Sequence, residues 1–305
     1  MYNDKFQTIN IGSISELHQV LGIQKPEHPL ISVINIENIP PTHYESIRIS
    51  FDLYNISFKK NVKNKIRYGQ NYYDFDEGLM ALMSPGQIVY IDNIDISEAA
   101  GWWLFFHPDF IRNYPLGKKI KDYGFFSYEV NEALHLSDHE EHMIVDIMNH
   151  IQREYHSPID RYSQDVMVSH LDVLLNYTNR FYNRQFITRQ TASLDLLVTI
   201  DDLLTEYFNG ELVQQIGLPT VHYLSSQLNV SPNYLSDMLR KVTGQSAQKH
   251  IHNKLIEKAK DYLVTSTLSV SEIAYLMGFE HPQSFSKLFK SKTHRSPLDY
   301  RNSFN

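Results

Sequence analysis

At 305 residues, 42% hydrophobic and 21% charged, the chain has the length of two globular domains and an ordinary water-soluble composition. The absence of cysteine excludes disulfides and thiolate zinc sites, and no apolar run approaches the ~20 residues that a membrane-spanning helix needs. The net charge of -7 is unevenly spread: residues 215–305 hold 11 Lys/Arg and 6 Asp/Glu, a net of +5, which leaves -12 on residues 1–214.

An acidic body with a basic tail piece is the asymmetry expected when one domain alone meets phosphate. The opening Met1-Tyr-Asn-Asp-Lys-Phe-Gln lacks the basic-then-apolar pattern of a secretion signal, so the cytoplasm is the expected compartment.

From Leu30 to about Phe110 the sequence predicts strands. Ile31–Ile36, Ile47–Phe58, Lys65–Tyr68, Leu79–Met83, Ile88–Ile91 and Gly101–Phe106 are short runs of Ile, Val, Phe and Tyr. Turn clusters such as Gly69-Gln-Asn and Ser84-Pro-Gly punctuate them, which suggests a sandwich or barrel. Near Ser137 the apolar period becomes helical. Met143/Ile144, Ile147/Met148, Ile151 and Tyr155 form one stripe, Met167, Leu171, Leu174/Leu175, Thr178 and Phe181 a second, and Ser157-Pro158 divides the two helices. Asn183–Ser193 is polar and without period, a candidate linker, and a helix over Leu194–Phe208 precedes the stop signal Asn209-Gly210.

The C-terminal third carries an internal repeat. Leu224-Ser225-x-x-Leu228-Asn229-Val230, then Leu235, Met238 and Leu239, is matched by Ile273-Ala274-x-x-Met277-Gly278-Phe279, then Phe285, Leu288 and Phe289. Small Ser225 and Ala274 suit a close helix crossing, and Asn229 and Gly278 suit the left-handed residue of a tight turn. Pro232 and Pro282 fit the first position of a following helix, and Ser269-x-x-Glu272 reads as a capping box. Gly244 would close the helix that starts at Pro232. Ile251, Leu255, Ala259 and Leu263 predict one long helix over Ser246–Thr265 that joins the two units. So joined, two recognition helices can enter successive major grooves about 34 Å apart.

Leu218-Pro-Thr-Val-His-Tyr-Leu-Ser, Ser231-Pro-Asn-Tyr-Leu-Ser, Thr243-Gly-Gln-Ser, Ser271-Glu-Ile-Ala-Tyr-Leu-Met-Gly-Phe, Ser284-Phe-Ser-Lys-Leu-Phe-Lys and Ser296-Pro-Leu-Asp-Tyr-Arg resemble the DNA-binding domain of AraC-type bacterial transcription regulators. The resemblance implies a regulator of promoter DNA, commonly dimeric, often governed by a small effector in an N-terminal domain, with RNA polymerase as a further partner. It also implies an α+β architecture: a cupin-like barrel with amphipathic dimerising helices over 1–182, a linker over 183–193, and an all-α DNA-binding domain over 194–305.

On the recognition helices Asn233, Ser236, Asp237 and Arg240, and Gln283, Ser284, Ser286, Lys287 and Lys290, are expected to point outward. In similar proteins the positions of Asn233, Ser236, Asp237, Gln283, Ser284, Ser286 and Lys287 face bases or nearby phosphates. Asn and Gln can pair with adenine and Lys with guanine, whereas Arg240, Lys241, Lys290 and Lys292 read as phosphate contacts. Asp237 stands where many relatives carry a donor. It can accept from cytosine N4, repels phosphate, and can pair with Arg240 or Lys241 at i, i+3 or i, i+4.

The N-terminal region shows no catalytic constellation, and no metal or cofactor is expected. His43 is the lone histidine between Pro29 and Phe106, too few for a cupin metal set. His139 and His142 are three apart, unlike the zinc helix motif, and His250 and His252 diverge on a helix. The five basic residues of Lys59–Arg67 suit a solvated hairpin edge. Tyr54, Phe58, Tyr68, Tyr72, Tyr73, Trp102 and Trp103 could line an effector site or fill core. Two alternatives stay open: a non-catalytic ligand-binding protein with a vestigial DNA-binding domain, and an enzyme with a regulatory tail.

Overall fold

The computed structural model describes residues 7–40, 47–60, 62–68, 71–75, 78–91, 100–129, 132–188 and 190–304. The chain divides into two compact units, Met1–Gln185 and Phe186–Asn305.

The first unit is mixed α+β. It begins with β1 (Gln7–Ile11) and α1 (Ile14–Val20), whose start is set by Ser13 accepting from the Glu16 amide. Then follow β2 (Ile31–Asn35), β3 (Ile47–Phe51), β4 (Tyr54–Lys60), β5 (Val62–Tyr68), β6 (Asn71–Phe75), β7 (Leu79–Met83), β8 (Ile88–Ile91) and β9 (Ala100–Phe106). Two short helices, α2 (Pro108–Ile111) and α3 (Pro115–Lys119), precede β10 (Leu134–His135). The run Ile47–Phe58, expected as one strand, is broken at Asp52-Leu53. The two halves join different sheets, and Leu53 at the corner is fully buried.

Among the described residues the pairings form three sheets, and none closes on itself. One is β1-β3-β8, with β1 and β3 parallel. The second is antiparallel with order β10-β7-β4-β9-β2, and the third is the bulged hairpin β5-β6. Strand alternation gives the five-stranded sheet two apolar faces. Ile34, Leu79 and Phe105 join Ile11 and Ile49 of the smaller sheet and Ile14 and Leu17 of α1 in one core. Ile56, Phe58, Met80, Leu104 and Phe106 occupy the opposite face, where Thr178 meets Met80.

The helix pair over that face is α4 (Asp138–Tyr155) and α5 (Ser163–Thr188). Ser137 and Glu140 form a complete capping box at the start of α4. Glu140 also receives two bonds from Arg184, at 2.8 and 2.7 Å, while Arg184 donates to the His135 carbonyl. Gln185 is 1% exposed and bridges the His135 amide and the Ala133 carbonyl, so the end of α5 is stitched to the sheet edge. The segment named as linker, 183–193, runs through the end of α5 and the start of α6 (Gln190–Asn209), which begins before the expected Leu194. The compact division falls at Gln185/Phe186, with both residues buried.

After α6 the second unit is helical: α7 (Leu212–Ile216), α8 (Val221–Gln227), α9 (Pro232–Thr243), α10 (Ala247–Thr265), α11 (Val270–Leu276), α12 (Pro282–Thr293) and α13 (Pro297–Asn302). Ile251, Leu255, Ala259 and Leu263 of α10 are buried as the spacing predicts. Arg301 donates to the Leu263 carbonyl at 3.0 Å and so ties α13 to the end of α10. Among the described residues no helix is long and apolar enough to cross a membrane.

Candidate nucleic-acid interface

Two helix pairs, α8–α9 and α11–α12, are built by the same local devices. Each first helix starts at a side-chain cap, Thr220 on the Tyr223 amide and Ser269 on the Glu272 amide. Glu272 answers with its carboxylate on the Ser269 amide, and these bonds hold it below the ordinary glutamate range. Both turns close identically: the Val230 amide reaches the Ser225 carbonyl and the Phe279 amide reaches the Ala274 carbonyl, each at 3.0 Å.

That closure needs a left-handed residue, and Asn229 (φ 54°) and Gly278 (φ 82°) provide it. Ser225 and Ala274 are buried, as a close crossing requires. Pro232 and Pro282 then open the second helices, with Ser231 capping the Tyr234 amide. At the far ends Thr243 and Thr293 play matching roles. Each hydroxyl donates to the carbonyl four residues back and accepts the amide two residues on, around left-handed Gly244 and His294. Of this matched pair the sequence singles out Thr243-Gly-Gln-Ser, and the recurrence of its Thr-x-x-Ser pattern at 293–296 is the signal for Thr293 and His294.

The inward faces hold the pairs together. Leu235, Met238 and Leu239 are buried, as are Phe285 and Phe289; Leu288, expected inward, is half-buried. Each such fully buried side chain stabilises by about 1.5–3 kcal/mol. The expected contact residues lie opposite. On α9 Asn233, Ser236, Asp237 and Arg240 fall at i, i+3, i+4 and i+7, a single stripe. On α12 Gln283, Ser286, Lys287 and Lys290 repeat that spacing, with Ser284 beside them. Asn233, Arg240, Gln283, Ser284, Lys287 and Lys290 are exposed, and Ser236, Asp237 and Ser286 half-buried. Asp237 Oδ1 accepts from Arg240 Nη1 at 2.9 Å, the i, i+3 pairing that the sequence left open.

Other expected residues take structural contacts. Tyr54 stacks on Phe106 and meets Phe126 edge-on, Phe58 is core, and Trp103 lies beneath the Lys59 ammonium and edge-on to Phe105. His142 Nδ1 is bonded to the Asp138 carbonyl, and His250 Nε2 to the Thr243 hydroxyl. His43 and the side chains of Tyr68, Tyr72, Tyr73, Lys63, Lys65 and Arg67 lie outside the described residues.

A tandem of two helix-turn-helix units, each with a polar stripe on its second helix, defines the nucleic-acid-binding class of double helix-turn-helix domains. A family model described as "Helix-turn-helix domain" matches residues 224–303. The chain is 30% identical over 117 residues to the uncharacterized HTH-type transcriptional regulator YijO of Escherichia coli K12, covering 38% of this chain and 39% of YijO. It is 37% identical over 84 residues to the raffinose operon transcriptional regulatory protein RafR of Pediococcus pentosaceus, covering 28% and 30%. Among solved structures, the C-terminal domain of the two-component response regulator yesN from Fusobacterium nucleatum subsp. nucleatum matches at 33% identity, TM-score 0.31, over 35% of this chain and 98% of that one. The C-terminal domain of this chain is an AraC-type helix-turn-helix domain. The chain spans about two fifths or less of the length of these curated relatives.

Proposed function

We propose that the protein is a sequence-specific DNA-binding transcription regulator. The observation that carries this is the pair of matched stripes on α9 and α12, solvent-facing on a domain whose other half is packed. Asn233, Ser236, Asp237, Gln283, Ser284, Ser286 and Lys287 face base edges and adjacent phosphates in this reading, Lys290 anchors the backbone, and Arg240 completes the stripe of the first helix. The net +5 of residues 215–305 supports it, because phosphate neutralisation supplies most of non-specific affinity.

The N-terminal region serves as a cupin-like sensing and dimerisation domain, residues 183–193 join it to the DNA-binding domain, and the working form is a homodimer. Two apolar-faced sheets with an amphipathic helix pair support that assignment. A small effector would act through different affinities for two arrangements of the protein. RNA polymerase is the natural partner of a promoter-bound regulator, the site is intracellular DNA, and catalysis has no part in the role.

The test is selection of duplexes from a random library by the full chain, followed by footprinting. The expected result is a site with two half-elements spaced by one helical turn per subunit, bound with steep salt dependence. Salt-independent binding, or no enriched sequence, would refute the reading.

A further inference from the structure

The two recognition helices carry opposite charge at one point of their repeat. Pro232 corresponds to Pro282, Leu235 to Phe285 and Leu239 to Phe289, so Asp237 is the counterpart of Lys287 and Arg240 of Lys290. Asp237 and Lys287 thus put opposite charge at equivalent positions of the two outward stripes, while Arg240 and Lys290 share theirs. Across Pro282–Thr293 there are three lysines and no carboxylate; Pro232–Thr243 has Arg240, Lys241 and Asp237. The carboxylate is 29% exposed, sits among the expected contact residues, and holds Arg240, whose side chain is 61% exposed, at 2.9 Å.

A carboxylate facing DNA weakens attraction to every phosphate alike, and one bonded to a guanidinium also removes that cation from the set that can neutralise phosphate. What it adds is orientation. A guanidinium is a planar fork that reads the guanine O6/N7 edge only when aimed, and an i, i+3 carboxylate fixes that plane. Resting on the regulator reading above, we propose that Asp237 is a specificity-determining positioning residue. It keeps Arg240 aimed at a guanine edge instead of the backbone, so the first helix discriminates while the lysine-bearing second helix grips.

The experiment uses the full chain, a duplex recovered by random-library selection, and a scrambled duplex of equal length, with affinities measured by fluorescence anisotropy across a salt series. In Asp237→Asn the freed Arg240 reaches phosphate. Scrambled DNA is then bound more tightly, with a salt slope steeper by about one, and discrimination falls roughly tenfold. Asp237→Lys, which installs the charge of the sister position, moves both quantities further the same way. In an Arg240→Ala background, Asp237→Asn leaves discrimination where Arg240→Ala alone put it.

Unchanged discrimination in Asp237→Asn overturns the inference, as does an equally large loss in the Arg240→Ala background, which would make Asp237 itself the base reader. A wild-type chain that binds both duplexes alike overturns the regulator reading and this inference together. A discriminating wild type with an equally discriminating Asp237→Asn overturns this inference alone.

Discussion

Gly278 stands against Gly217. A Cβ added to Gly278 would lie 2.9 Å from the Gly217 carbonyl carbon and 3.0 Å from the Val213 carbonyl oxygen, so the turn of the second unit is pressed onto the end of α7. Gly278 therefore answers to two constraints, a left-handed φ and a backbone neighbour, whereas its counterpart Asn229 fits its own turn with a side chain in place.

Gly278→Ala adds a left-handed penalty of about 1–2 kcal/mol to an overpacking cost of about 1–3 kcal/mol. Gly244→Ala carries the first alone, because nothing lies within 4 Å of its Cβ. Urea denaturation followed by circular dichroism should show Gly278→Ala as clearly the less stable variant. Equal losses would mean that the contact with α7 carries no weight.

The opposite change should stabilise. His294 closes α12 at φ 61° where Gly244 closes α9, and the side chain is exposed. His294→Gly relieves up to about 1 kcal/mol of backbone strain, and the midpoint of the same denaturation curve should rise. A fall would show that His294 makes a contact worth more than its conformation costs.

Arg184 and Glu140 bind α5 to the start of α4 through two parallel bonds, and Glu140 is mostly buried. Arg184→Met leaves a buried carboxylate without its cation and should cost about 1–3 kcal/mol, discounted for the part exposure of Arg184. Double substitution with Glu140→Gln should recover part of the loss, and strict additivity would argue against the pair acting as a unit.

Stability should fall in mild acid through His170. Burial, and then the charge of the stacked His150 ring 5.3 Å away, lower its pKa from the ordinary 6.5, with Glu154 opposing in part. The folded state thus binds fewer protons than the unfolded one just below pH 6.5. The stabilisation is complete above that value and is lost as pH falls through the lowered folded pKa. His170→Phe should flatten the melting temperature between neutral pH and about pH 5, a range set by histidine titration. An unchanged pH slope would clear His170 of that role.

Lys287→Ala should weaken binding to a selected site by about 1–3 kcal/mol if the lysine reads a base. If it meets phosphate alone, selected and scrambled duplexes will lose affinity equally, with a salt slope smaller by about one.

The sequence by itself determined what depends on near neighbours along the chain. Capping at Ser269, the turns at Asn229 and Gly278, the prolines opening α9 and α12, and the buried stripe of α10 are contacts over at most a few residues. Their residue types are therefore diagnostic. The matched stripes of the candidate interface were legible for the same reason. Tertiary structure alone decided the parallel pairing of β1 with β3, the break at Asp52-Leu53, the burial of Gln185 against β10 and the seat of Gly278 on Gly217. These join residues far apart in the chain, and strand-forming residues favour many pairings equally until packing selects one. The choice of Arg240 by Asp237 lies between the two: spacing allowed it, and only the placed side chains made it.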